Sequence, residues 1–267
     1  MTGDPGNLSV GAQRTRRNIV KMGAILSAAV LARANSAHAR SSVCSSVIGC
    51  RCFLKGTKIQ TADGECKVED LAIGDMLPTM FGGTRPIQWI GRYPLKKSDP
   101  SKRWVKDGLP VRIARSALAP GVPQADLYVT EWHALFVDGV LAPAGCLING
   151  TTITRYEARE YDELEFFHIK LESHDVIYAE GAPVETLLNV DERAVNFAEY
   201  FRGCGAPTTE EASCAPRVSY GGGRGELKSR IRSALSPWLD RREQFDVIRD
   251  RLEERGLSLS RQSEPIH

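Results

Sequence analysis

The sequence predicts an all-β domain followed by a helical C-terminal region. Short runs of β-branched, aromatic and apolar residues recur between residues 52 and 188. They are punctuated by Asp63-Gly64, Asp138-Gly139 and Asn149-Gly150, dipeptides that favour tight hairpin turns. Helical spacing appears only beyond Asn189, in Leu227, Ile231, Leu235 and Trp238 and again in Phe245, Ile248 and Leu252. With 267 residues, 42% of them hydrophobic, the chain suits one domain of ordinary size with appendages rather than two full domains.

In chain order, the first 39 residues read as a targeting segment. Arg16-Arg17 and Lys21 precede an apolar stretch over residues 22–32, and Ala37-His38-Ala39 follows as a small-x-small cleavage pattern. The paired arginines resemble a twin-arginine export signal. Cleavage after Ala39 would start the mature chain at Arg40 in the periplasm, where disulfides are permitted. The apolar stretch is far short of the roughly 18 residues of a spanning helix, and no other segment is long and apolar enough. Residues 40–51 form a short leader rich in Ser, Val and Cys.

A β-hairpin is expected over 52–75, turning at Asp63-Gly64. Strands follow at 84–93, 110–117, 127–129, 134–137, 166–171 and 176–179, with a surface loop over 94–110. Residues 140–153 are mostly apolar and end at the Asn149-Gly150 turn. In the region 189–267, a helix is expected over 190–202, then a Cys204–Cys214 loop and a Gly221-Gly222-Gly223 spacer. Helical sequence over 226–255 is broken at Pro237.

Composition excludes several function classes. A net charge of +2 is too small for a nucleic-acid-binding surface. There is no CxxC, HExxH, Gly-rich phosphate loop or Gly-x-Ser-x-Gly. Cys50-Arg51-Cys52 is too tight for a usual zinc pair, so no metal or cofactor is expected. Seven cysteines leave at least one unpaired within the chain. Cys44 and Cys50 are candidates to pair with each other or with Cys52, and Cys66 and Cys146 are expected in the core.

Three stretches carry a resemblance. CFLKGTKIQTADGECKVEDLAIGD begins at Cys52, TEWH spans 130–133, and FFHIKLESHDVIYAEG spans 166–181. Their order and separation resemble the blocks of the Hedgehog/intein (Hint) family, in particular a bacterial branch. The resemblance covers 52–188 and implies an all-β Hint domain. It implies that Cys52 attacks the carbonyl of Arg51 in an N-to-S acyl shift, and that Thr130 and His133 hold and protonate the Arg51–Cys52 amide. It places His174 at a family histidine, and puts His168 where inteins commonly have an aspartate. Such an attack needs an activated thiol, a proton for the departing nitrogen and fixed donors for the oxygen.

The chain departs from inteins at the domain end. Residues 181–186 read GAPVET, with no His-Asn pair, so the asparagine cyclisation that completes splicing has no agent. The expected activity is front-end cleavage by a self-acting cysteine autoprotease whose substrate is its own N-terminal segment; the sequence names no acceptor nucleophile. The alternative is a non-catalytic secreted module on the same scaffold that binds a partner through its helical tail. A cysteine acyltransferase acting on external substrates is a third class.

Overall fold

The computed structural model describes residues 51–97, 99–104, 109–190, 196, 198, 202, 212–220 and 223–263. The expected signal segment with Arg16, Arg17 and Ala39, the leader with Cys44 and Cys50, the loop residue Cys204 and most of the 190–202 helix lie outside them.

Among the described residues, fourteen strands fall into two six-stranded sheets and a small ribbon. The first sheet contains β1 (Phe53–Leu54), β6 (Trp89–Lys96), β7 (Val111–Ile113), β8 (Leu127–Val129), β11 (Ile153–Arg155) and β12 (Glu163–Lys170), in the order β11-β7-β8-β1-β12-β6. The second holds β2 (Lys58–Thr61), β3 (Gly64–Lys67), β9 (Ala134–Val137), β10 (Val140–Pro143), β13 (Val176–Ala179) and β14 (Ala182–Glu185), in the order β10-β9-β14-β13-β2-β3. The ribbon pairs β4 (Met76–Thr79) with β5 (Gly83–Pro86). All named ladders are antiparallel. Both large sheets mix strands from early and late in the chain, so residues far apart in sequence become neighbours.

The expected turns hold with local adjustments. Thr61 pairs with Gly64, so the first turn is Ala62-Asp63, one residue earlier than expected. Asp138 and Gly139 both take positive φ, 51° and 83°, the two left-handed residues a tight hairpin requires. The Asn149 carboxamide oxygen accepts from the backbone N–H groups of Thr151, Thr152 and Ile153, fixing the Asn-Gly turn.

Two strand expectations need correction. The stretch 84–93 is two strands, because Ile87 N–H donates to the Asp75 carbonyl and Gln88 N–H to that of Lys170. The loop expected from residue 94 starts later, because β6 continues to Lys96 along β12. Pro94 is tolerated there because β6 is an edge strand, where a missing N–H costs no ladder bond.

The main core joins both sheets through residues such as Ile59, Leu127, Leu135, Phe167 and Ile177. The tail forms α1 (Gly223–Leu235) and α2 (Gln244–Ser263), with the break near Pro237 as expected. Helix α2 buries Phe245, Ile248 and Leu252 in the main core. It lies so close to the Asn149 turn that a Cβ at Gly256 would come within 2.2 Å of Thr151 Oγ1. Helix α1 behaves differently: Leu227, Ile231, Leu235 and Trp238 are exposed, so its apolar stripe is not a core face. Its buried contact is polar instead. Ser229 bonds Asp246 and Arg249 of α2, and Arg232 pairs with Asp246.

This difference is measurable. Leu135→Ala, at a fully buried site, is expected to cost about 2–5 kcal/mol in urea unfolding. Leu227→Ser, at an exposed site, is expected to stay within about 0.5 kcal/mol. Equal effects would contradict the burial assignment.

Candidate active site

Strand register builds the site. Phe53 pairs with Val129 on one side and with Phe167 on the other. In antiparallel ladders one step back on β1 is one step forward on each neighbour, so Cys52 lies between Thr130 and His168. The Cys52 backbone N–H donates to Thr130 Oγ1 at 2.9 Å, and the Thr130 N–H donates to the Cys52 carbonyl at 3.0 Å. Cys52 is fully buried.

His168 touches both residues of the Arg51–Cys52 pair. Its Nδ1 donates to the Arg51 carbonyl oxygen, and its Nε2 lies 3.4 Å from Cys52 Sγ. A carbonyl oxygen only accepts, so Nδ1 carries the hydrogen, and in the neutral ring Nε2 turns a lone pair to the thiol. Tyr93 packs edge-on against the ring, with centroids 4.7 Å apart.

His133 follows Thr130 through a turn in which its N–H donates to the Thr130 carbonyl. Its ring packs on Phe53, centroids 4.4 Å apart, and its Nε2–H donates to the Glu185 carbonyl at 3.0 Å. The Nδ1 atom is buried without a hydrogen-bond partner. Burial pushes the ring's pKa down to about 4, with a smaller downward push from His168, against the opposing charge of Glu185. His133 is therefore neutral near pH 7, with its lone pair on Nδ1.

Glu185 was not among the residues singled out from sequence. Its side chain is fully buried, yet it carries a charge. Oε1 accepts from the Ala134 N–H at 2.8 Å and pairs with Arg51 Nε at 3.2 Å. Oε2 meets His174 Nε2 at 3.2 Å and Arg217 Nη2. Burial alone would raise its pKa; the His174 hydrogen bond and the Arg51 and Arg217 charges outweigh burial and hold it at about 2. The register explains the meeting: Val184 pairs with Leu135, and Val176 with Glu185. This brings the end of β14 beside the start of β9 and of β13.

The structure thus gathers Arg51, Cys52, Thr130, His133 and His168. It places His174 one layer behind them. The His174 Nδ1 accepts from the Cys214 N–H at 3.0 Å and its Nε2–H donates to Glu185, so both ring nitrogens are engaged away from the thiol. Cys66 and Cys146 were expected in the core; both are only partly buried, packed against it. Among the described residues no cluster suited to a metal ion occurs.

Residues 51–191 match the Hint domain family. The chain belongs to that family. Its Hint domain is similar to the gp41-1 intein, at 15% identity and TM-score 0.36, over 51% of this chain and 98% of that one. It is similar to the DnaB intein of Synechocystis sp. PCC 6803, at 9% identity and TM-score 0.37, over 52% and 99%. It is similar too to a bacterial intein-like domain from Clostridium thermocellum, at 15% identity and TM-score 0.36, over 51% and 98%. No curated protein matches the chain.

The two shifted groups predict acid sensitivity in sequence. Between pH 6.5 and about 4 the unfolded chain binds a proton that folded His133 refuses; between pH 4.5 and about 2 the same holds for Glu185. In both windows the unfolded state holds more protons, so stability falls as pH falls. Urea midpoints measured from pH 7 to pH 4.5 are expected to drop for the wild type and to drop less for His133→Gln. Parallel curves would contradict the assignment.

Proposed function

We propose that this Hint domain is an autoprocessing module that breaks its own Arg51–Cys52 bond without full splicing. The observation that carries this reading is the grip on one peptide group. The amide nitrogen is bonded to Thr130, the carbonyl oxygen to His168, and the adjacent thiol faces the same histidine. In the N-to-S acyl shift, Cys52 Sγ bonds to the Arg51 carbonyl carbon and the C–N bond breaks. The thiol proton passes to His168 Nε2 and is handed on to the departing Cys52 nitrogen, so the isomerisation balances with no outside proton. His168 Nδ1–H stays on the oxygen as it gains charge, the position of an oxyanion donor. His133, neutral with an open Nδ1, takes and returns a proton rather than starting as a charged acid. His174 supports Glu185 rather than the reacting atoms. A thiol, hydroxylamine or another nucleophile then releases the front segment from the thioester.

Export through the twin-arginine route, with removal of residues 1–39, belongs to the same proposal and rests on the sequence pattern. No helix among the described residues is long and apolar enough to cross a membrane. The second reading, a non-catalytic module binding through its tail, draws on the exposed stripe of α1. It accounts for that stripe and leaves the grip on residues 51 and 52 without a purpose.

The full chain treated with dithiothreitol or hydroxylamine is expected to yield a fragment beginning at Cys52, read by intact mass. Cys52→Ala is expected to abolish it, and His133→Ala to slow it by about 10²–10⁴-fold. At position 168 the two roles separate. Asp offers a proton acceptor but no donor to the carbonyl, and Asn the reverse, so each is expected to keep part of the rate and Ala less than either. A wild-type chain that stays intact under both reagents would overturn the proposal.

A further inference from the structure

The Arg51–Glu185 contact bears on what the site accepts as well as on how it reacts. Four groups share the buried carboxylate: the Ala134 N–H, His174, Arg217 and Arg51. Three of them belong to the part of the chain that stays. Arg51 alone among these four belongs to the segment that would leave, and its side chain is 28% exposed against 0% for Glu185. The Arg51 carbonyl is the one bonded by His168. One residue is therefore tethered twice, by its side chain to Glu185 and by its carbonyl to the reacting histidine.

We propose that Glu185 is a positioning and specificity residue that selects a cationic side chain immediately before Cys52. The proposal rests on the autoprocessing reading and adds the class of front segment processed: peptides ending in arginine, or less well in lysine. The physical basis is a fixed, fully buried anion met by a side chain only partly exposed to water, where ion pairing is stronger than at the surface and an unmatched group is costly. A neutral side chain at position 51 removes one of the two tethers and lets the carbonyl drift from His168; small displacements of a reacting group carry large rate penalties. A carboxylate at 51 adds repulsion against Glu185. Arginine is preferred over lysine because its guanidinium is a fixed fork of donors matched to a carboxylate. The other three partners remain when Arg51 is replaced, so the carboxylate stays paired.

The test uses the full chain with Arg51→Lys, Arg51→Gln and Arg51→Glu, cleaved by hydroxylamine and followed by mass. The expected order of rates is Arg, Lys, Gln, Glu, with Gln about tenfold slower than wild type and Glu about 100-fold slower. Arg51→Gln is expected to lower the thermal midpoint modestly, because a higher Glu185 pKa in the folded state costs stability near neutral pH, so rates are compared well below both midpoints to keep slower cleavage distinct from unfolding. A second readout needs no activity. In the chain carrying ¹³C-labelled glutamate carboxyls, the Glu185 titration is expected to move to higher pH in Arg51→Gln. Equal cleavage rates across the series, or a Glu185 titration that ignores residue 51, would overturn the proposal. If the wild type fails to cleave while Glu185 still responds to residue 51, the activity is refuted and the recognition stands.

Discussion

The buried carboxylate of Glu185 is the constraint on which the site depends. A lone charge in a dry interior is prohibitively costly, so every group around it is arranged to repay that cost. The start of β9 gives an N–H, the turn before β13 gives His174, and the segment after the β domain gives Arg217. These elements are distant in sequence, and the carboxylate ties them into one rigid frame. The backbone carbonyl of the same residue fixes His133, and its side chain meets Arg51. The stretch 181–186, which carries no His-Asn pair, supplies the anion that meets Arg51 at the front of the domain.

Three histidines share this region, and their surroundings give each a different task. His168 carries its hydrogen on Nδ1 because a carbonyl faces that atom. His133 and His174 carry theirs on Nε2, because one meets the Glu185 carbonyl and the other its carboxylate. Residue type alone cannot separate these roles; the partner of the second nitrogen does. This is why His133, expected to deliver a proton near neutral pH, is instead held neutral by burial, and why His174 has both ring nitrogens engaged, by Glu185 and by the Cys214 N–H.

The fold was legible in the sequence to the extent that local chemistry determines it. Asp138-Gly139 and Asn149-Gly150 marked their turns because only a few residue types tolerate positive φ or bridge a turn. Strand limits were less legible where tertiary bonds intervene: nothing local to Ile87 and Gln88 shows that Asp75 and Lys170 will claim their N–H groups. The stripe on α1 had a core pattern, yet the core lies elsewhere, since Ser229 and Arg232 dock that helix through polar groups. Within the site, Cys52, Thr130 and His133 were marked by the resemblance to the Hint family. Glu185 was not, although one signal was present: an acid at the end of the short apolar strand β14, where an unpaired charge would be hard to bury.

The depth of the thiol bears on a conflict built into the chain. Only residues 40–51 separate the expected signal cleavage site from Cys52. Under the proposed twin-arginine route the domain folds before it crosses the membrane, so the pocket would exist while the export segment is still attached. Early release of that segment would strand the domain. A redox mask runs in the wrong direction, because a disulfide would free the thiol inside and block it outside. Burial offers a different answer. The acyl shift is an isomerisation that severs the amide but leaves the front segment joined as a thioester, and it is reversible. Separation needs a second nucleophile to reach a carbonyl beside a fully buried sulfur. Under the proposed function, the chain can cycle between amide and thioester throughout export without losing its leader. The timing of cleavage is then set by the access of the nucleophile, and the formation of the bond it attacks need not be delayed.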